Sequence, residues 1–198
     1  HGKTCLTVNL VERMPFDRLF VVSPSFKSNL ALMSRLKAIH EEDVFEDPDD
    51  WATILDTIKH EIEKERDDLE RYWAEMKRYR SLRKKMEQHN TISDEMVLEF
   101  WNDGSFQPPE HRWKGRKPII GVIFDDCIGS QLYTKGIRKL NQMTIFHRHL
   151  GQLSEGGAIG CSLFFLLQSY RAGSGGISKC IRNNSTLLAI GKTKSQKE

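Results

Sequence analysis

The segment that most constrains the fold is KPIIGVIFDD, at residues 117–126. Most of its apolar residues are β-branched, and the apolar run is followed directly by Asp125 and Asp126. A short, unbroken apolar run of this kind predicts a strand buried on both faces, as in a parallel sheet. Open α/β sheets bind ligands at the carboxyl ends of their strands, where these two carboxylates fall. Paired carboxylates repel each other unless a cation or a proton lies between them, and Mg²⁺ with a phosphate is the natural partner. The alternative is an Asp-rich turn that binds nothing.

The first residues of the chain carry phosphate-binding chemistry. Gly2-Lys3-Thr4 precedes a helix-like apolar pattern over residues 5–14. Gly-Lys-Thr at the start of a helix is the final part of a Walker A loop, GxxxxGK[ST]. In that loop the lysine reaches the β- and γ-phosphates and the threonine hydroxyl reaches Mg²⁺, while the helix N-terminus offers N–H groups to the anion. The first glycine and the strand before it are not in the sequence, so we expect a fragment that starts inside the loop.

Composition places the chain among globular proteins. Its 198 residues suffice for one α/β domain with an insertion, and 38% of them are hydrophobic. No apolar run reaches the roughly eighteen residues of a membrane span, and no signal peptide is recognised. The four cysteines are widely spaced and form no CxxC motif, which is typical of reduced thiols. We therefore expect an intracellular protein that does not associate with membranes.

The charge distribution is uneven. The formal net charge is +3, but residues 41–89 hold 16 of the 27 acidic residues and only 10 of the 30 basic ones. The rest of the chain is therefore strongly basic. A basic body beside a separate charged segment suits a polyanionic partner.

A long helix is predicted over residues 51–88, which contain no Gly or Pro. Apolar residues recur every three or four positions and form a narrow seam that a polar residue, Glu65, interrupts. The pattern predicts one helix of roughly 55 Å, or a helical hairpin. We treat residues 49–89 as an insertion within a single domain covering residues 1–198. The far end of the helix is basic, which indicates either a DNA or partner contact or a solvated face that balances the acidic first half.

The remaining segments alternate between strands and helices. Further strands are predicted at residues 18–23, 158–167 and 186–190, and further helices at residues 27–40, 93–101, 130–140 and 177–183. The strand at 158–167 ends in Gln168, whose amide would lie beside the carboxylates of a neighbouring parallel strand and orient a water there. The alternative for Gln168 is the capped start of a loop. His147 and His149 are metal ligands by residue type, but without a Cys or carboxylate cluster a structural role is favoured.

The order of these pieces resembles one protein family. GKT opens a helix, a strand ends in SPS, and then come IIGVIFDD, an Arg148-His149 pair, LLQS and IRNNST. This order is similar to that of the poxvirus-type genome-packaging ATPases of the FtsK/HerA superfamily, found in large DNA viruses, virophages and Maverick/Polinton elements. The resemblance covers nearly the whole chain outside the long helix. It implies a RecA-like P-loop NTPase with a mainly parallel sheet, assembled as a hexameric or pentameric ring that pumps double-stranded DNA into a capsid.

The resemblance also implies roles for individual residues. Gly2, Lys3 and Thr4 match the part of the Walker A loop that binds ATP, and Thr4 and Asp125 match the Mg²⁺ ligands. Asp126 matches the acidic residue that activates the attacking water, and Gln168 matches the polar sensor. Arg148 is the candidate arginine finger acting on the adjacent subunit, with Arg182 as the second choice. Capsid proteins are further implied partners, and the host cytoplasm, viral factory or virion is the implied location.

Two other classes of function remain open at this point. The first is another P-loop enzyme, such as a helicase or a nucleotide kinase, although the heptad-like helix suits an interaction arm better than a kinase lid. The second is a non-catalytic coiled-coil scaffold with a vestigial nucleotide site. The presence of Lys3, Asp125 and Asp126 together argues against such degeneration.

Overall fold

The structure is a computed structural model, and it describes residues 2–89, 98, 107–168 and 176–191. Four strands alternate with helices along this part of the chain. In order, the elements are α1 (Gly2–Val11), β1 (Arg18–Val22), α2 (Leu30–Met33), β2 (Ile39–Phe45), α3 (Trp51–His89), β3 (Ile120–Asp125), α4 (Ile137–Phe146), β4 (Ser162–Leu166) and α5 (Lys179–Asn184). Short 3₁₀ turns lie at Lys27–Asn29, Gln131–Tyr133 and His147–His149.

The strands form one all-parallel sheet in the order β2-β1-β3-β4. Strand β3 lies between β1 and β4. Its Phe124 pairs with Val22 of β1, and its Asp125 pairs with Leu166 of β4. Every residue of β1 and β3 is buried, as continuous apolar runs predict for strands covered on both faces. The predicted α/β class with a parallel sheet flanked by helices is confirmed.

The two faces of the sheet carry separate apolar cores, because successive strand residues point to opposite faces. On one face, Leu19, Val21 and Ile123 pack with Val8 and Val11 of α1. The other face is the larger core, built from strand residues together with side chains of α3, α4 and α5. Its most buried members include Phe20, Val122, Phe124, Ile54, Ile58, Ile62, Leu140 and Ile181.

The predicted long helix forms as one continuous helix, α3, and not as a hairpin. Its first half lies against the sheet, since Ile54, Ile58 and Ile62 are in the larger core. The polar interruption at Glu65 is buried beside the guanidinium of Arg18. No helix among the described residues is both long and apolar enough to cross a membrane.

Several predicted elements differ from the structure. Residues 27–40 were predicted to be one helix, but only 27–33 are helical and Ile39–Phe45 is strand β2. The helix predicted at residues 130–140 begins at Ile137, after a 3₁₀ turn. The strand predicted at residues 186–190 is wrong, because these residues form no strand and are exposed. The helix predicted at residues 93–101 lies outside the described residues apart from Leu98.

Candidate nucleotide-binding site

The first turn of α1 meets the carboxyl end of β3. The Thr4 hydroxyl Oγ1 donates a hydrogen bond of 3.1 Å to Oδ2 of Asp125, the last residue of the strand. Helix α1 is held there by Val8 and Val11, which are 1% exposed against the sheet. The N-terminus of a ten-residue helix, with its free N–H groups, therefore lies at the edge where parallel sheets bind ligands.

Asp125 is a buried carboxyl group, with only 2% of its surface exposed. Burial raises its pKa above the usual range, and the negative charge of Asp126 raises it further. The hydrogen bond from Thr4 and the positive charge of Lys3 act in the opposite direction and lower that pKa. The net effect is a raised pKa for Asp125. A cation bound at this edge would stabilise the ionised form of its carboxyl group.

Asp126 lies next to the end of strand β4. Its backbone has a φ of +57°, in the left-handed region that Asp and Asn tolerate better than other non-glycine residues. Its Oδ1 accepts a hydrogen bond from Nε2 of Gln168, which follows β4 by two residues. The two side chains meet because Asp125 and Leu166 are paired across the sheet. The structure thus brings the predicted sensor amide to the predicted catalytic carboxylate.

Gly2 and Lys3 occupy the start of α1. Gly2 is exposed and has open space around the position of a Cβ atom. Lys3 is half-buried, and its ammonium group is near enough to lower the pKa of Asp125. The residues predicted to bind phosphate and Mg²⁺ in cis therefore converge on one edge of the sheet.

Cys127 is a buried residue at this edge to which the sequence assigned no role. Its Sγ lies 3.3 Å from the carbonyl oxygens of both Val22 and Asp125 and donates towards them. Burial raises the pKa of this thiol to about 12, with Asp125 and Asp126 contributing. The thiol is therefore protonated at neutral pH and serves to join the ends of β1 and β3.

Arg148 does not join these residues within one chain. It is exposed in the 3₁₀ turn His147–His149 and lines a cleft of about 330 Å³ with Lys117 and Ser162. That cleft lies at the amino ends of β3 and β4, roughly 16 Å from Asp125 at 3.3 Å per strand residue. The second candidate, Arg182, lies in α5, which packs on the larger core through Ile181.

A buried ionic cluster at the amino edge of the sheet was missed from the sequence. Arg18 donates to both carboxylate oxygens of Asp43, at 2.7 and 2.8 Å, and to Glu61 and Glu65 of α3. Burial opposes its charge, but the bonds to Asp43 and Glu61 raise its pKa above the usual value. A cleft of about 470 Å³ adjoins this cluster, lined mainly by charged side chains. The interruption of the apolar seam at Glu65 was the one signal in the sequence.

The donor types at the carboxyl edge fit a magnesium–nucleotide complex. Mg²⁺ prefers oxygen ligands, and proteins bind it through one or two carboxylates together with waters and substrate phosphates. Thr4 and Asp125 supply a hydroxyl and a carboxylate oxygen. No group of three or more His, Cys, Asp or Glu side chains suited to a metal ion occurs in the described part of the chain. His147, by contrast, has Nδ1 2.7 Å from the Thr144 carbonyl oxygen, in keeping with a structural role.

Comparisons of the chain with protein-family models, with curated proteins and with solved structures found no match. A function for this chain is therefore inferred from the site geometry and from the resemblance in motif order.

Proposed function

We propose that this chain is a RecA-like P-loop ATPase that hydrolyses ATP with Mg²⁺ and translocates double-stranded viral DNA into a capsid. The observation that carries the proposal is the bond between Thr4 and Asp125, which joins the GKT triplet to the carboxylate ending a central parallel strand. The contact between Gln168 and Asp126 beside it supports the same assignment. The motif order supplies the expectation of genome packaging.

Each residue of the site has a separate role in the transfer of the phosphoryl group to water. Thr4 and Asp125 would hold Mg²⁺, which neutralises charge on the phosphates when it is bound. Lys3 and the N–H groups at the start of α1 would hold the phosphate oxygens. Because Nε2 of Gln168 donates to Asp126, its amide oxygen is left to accept from a water. Asp126 is then oriented to take a proton from that water.

Assembly into a ring accounts for the position of Arg148. In one chain it lies at the edge of the sheet opposite Asp125, so it would reach a nucleotide only on a neighbouring subunit. Head-to-tail contacts between identical subunits close into rings, here of five or six members. Such a ring would surround DNA and contact capsid proteins, in the host cytoplasm, the viral factory or the virion.

The test is ATP hydrolysis by the full-length protein, measured with and without double-stranded DNA, beside an Asp126→Asn variant. Turnover that DNA stimulates and the variant lacks is the expected result. Turnover indifferent to DNA would favour another P-loop enzyme. The absence of turnover from both proteins would favour a non-catalytic scaffold.

A further inference from the structure

The charges of the long helix α3 are segregated along its length. Residues 51–76 contain eight carboxylates, and seven of them contact a nearby cation or backbone N–H group. Asp56 pairs with Lys139, Glu65 with Arg18, and Asp68 with Arg71. The acidic half of the helix is therefore engaged locally and does not neutralise the basic half.

The far end of α3 has an excess of positive charge. Residues 77–87 hold six basic side chains and one carboxylate, Glu87, which accepts from Arg83 at 3.1 Å. We call Lys77, Arg80, Lys84 and Lys85 the basic end. All four are exposed, and none of them forms a hydrogen bond or ion pair with another residue that the structure describes. Among the described residues, no direct contact therefore joins the basic end to the acidic half.

The basic end forms an elongated surface. Residues three, four and seven positions apart lie on the same side of a helix, so Lys77, Arg80 and Lys84 form one row. At 1.5 Å per residue this row is about 10 Å long. A linear row of cations matches the repeating phosphates of a nucleic acid backbone, whose strand carries a charge about every 3.4 Å along the axis.

The surroundings of the basic end argue against a membrane as its partner. Helices that lie on membranes need an exposed apolar face beside their basic face. Among the side chains described between residues 77 and 87, no large hydrophobic one is exposed, and Leu82 is 6% exposed. Lysine is also depleted in protein–protein interfaces, which makes an acidic protein the weaker match.

We propose that the basic end of α3 binds the phosphate backbone of double-stranded DNA. This inference rests on the proposed function and names the surface that holds the DNA while hydrolysis takes place at the carboxyl edge of the sheet. Contacts of this kind carry no sequence information and weaken with salt.

The test compares two double variants of the full-length protein that remove the same charge from the same helix. Lys77→Gln with Lys84→Gln removes two members of the basic end. Lys59→Gln with Lys64→Gln is the matched control, since these lysines are 58% and 60% exposed in the acidic half. Binding to double-stranded DNA of two unrelated sequences is measured over a range of salt concentrations, and circular dichroism checks that both variants are folded.

We expect the Lys77/Lys84 variant to bind both DNA sequences more weakly than the wild type. The slope of log K against log salt should fall in magnitude by about 1.8, or about 0.9 per lost phosphate contact. The control should keep the wild-type slope, and both variants should keep wild-type ATP hydrolysis in the absence of DNA. Equal slopes for the two double variants would overturn the inference. The inference would also be overturned if the Lys77/Lys84 variant, but not the control, lost binding to vesicles of phosphatidylserine and phosphatidylcholine while its DNA binding stayed unchanged.

These results separate the inference from the proposed function. If DNA stimulates ATP hydrolysis and the two double variants have equal slopes, the proposed function stands, but the basic end is not the DNA-binding surface. If the protein does not hydrolyse ATP but its DNA affinity depends on Lys77 and Lys84, the proposed function is wrong, but the basic end is the DNA-binding surface.

Discussion

The Thr4 hydroxyl and the Asp125 carboxylate are 121 residues apart in the chain and 3.1 Å apart in the structure. Their hydrogen bond holds the first turn of α1 at the end of β3, on the same edge as Asp126 and Gln168. Because Thr4 belongs to a Gly-Lys-Thr triplet, this bond also sets where Gly2 and Lys3 lie relative to the carboxylates.

Replacing Thr4 with Ala should raise the Mg²⁺ concentration needed for half-maximal ATP hydrolysis by about 10- to 100-fold, because a metal-orienting oxygen is lost. The measurement is a Mg²⁺ titration of the turnover rate. Thr7→Ala is the matched control, since Thr7 lies one turn further along the same helix and is similarly half-buried. The same Mg²⁺ requirement in both variants would show that Thr4 has no part in holding the metal.

Replacing Asp126 with Asn should slow ATP hydrolysis by about 10²- to 10⁴-fold while nucleotide affinity stays near the wild-type value, because the base is removed and the phosphate contacts are kept. Asn tolerates the left-handed φ of +57° at this position, so the backbone should be retained. Turnover and nucleotide binding are measured in parallel. Wild-type turnover would remove Asp126 from the mechanism.

Replacing Asp125 with Asn should stabilise the ligand-free protein at neutral pH. Folding raises the pKa of Asp125. At a pH between the pKa values of the unfolded and folded states, the folded protein therefore binds more protons than the unfolded one. This group's contribution to the free energy of unfolding therefore falls as the pH rises from the ordinary Asp pKa of 3.8 through the folded pKa. Asn does not titrate, so its advantage over wild type should grow with pH.

Thermal unfolding of the wild type and Asp125→Asn, measured from acidic to neutral pH without Mg²⁺, tests this prediction. A stability difference that is constant with pH would contradict it. Adding Mg²⁺ with a nucleotide should narrow the difference, because the bound cation stabilises the ionised carboxylate of the wild type.

Replacing Arg18 with Met should lower the free energy of unfolding by about 3–5 kcal/mol, because it leaves buried carboxylates of Asp43 and Glu65 without their cation. Urea denaturation provides the measurement. Lys27→Ala is the control, since Lys27 is 80% exposed and pairs with an exposed Glu46. A loss no greater than that of the control would mean that the buried cluster adds nothing to stability.

Replacing Arg148 with Ala should abolish DNA-stimulated turnover and leave nucleotide binding near normal, because the arginine is expected to act on the neighbouring subunit. His149→Ala, an exposed neighbour in the same 3₁₀ turn, is the control. Mixing Arg148→Ala with Asp126→Asn protein should restore part of the turnover, since some interfaces then combine an intact arginine with an intact carboxylate. Unchanged turnover in Arg148→Ala alone would exclude the arginine.

The amino-acid sequence alone determined the local elements whose signals are strong over a short range. The β-branched run ending at Asp125 predicted a doubly buried strand, and β3 is buried at every position. The absence of Gly and Pro from residues 51–88 predicted the helix that α3 forms. In both cases the pattern of apolar residues along a few turns or pleats suffices, because it sets which backbone geometry buries them.

Features that depend on pairing between distant segments become visible only in the folded chain. Strand β2 contains His40, Glu41, Glu42 and Asp43, a composition that local preference assigns to a loop. It becomes a strand because it pairs with β1 and because Arg18 neutralises Asp43. Likewise, Gln168 meets Asp126 only because β4 is the neighbour of β3 in the sheet. Strand order and the pairing of buried charges are long-range choices, and the free energy that favours them comes from residues that no local window contains.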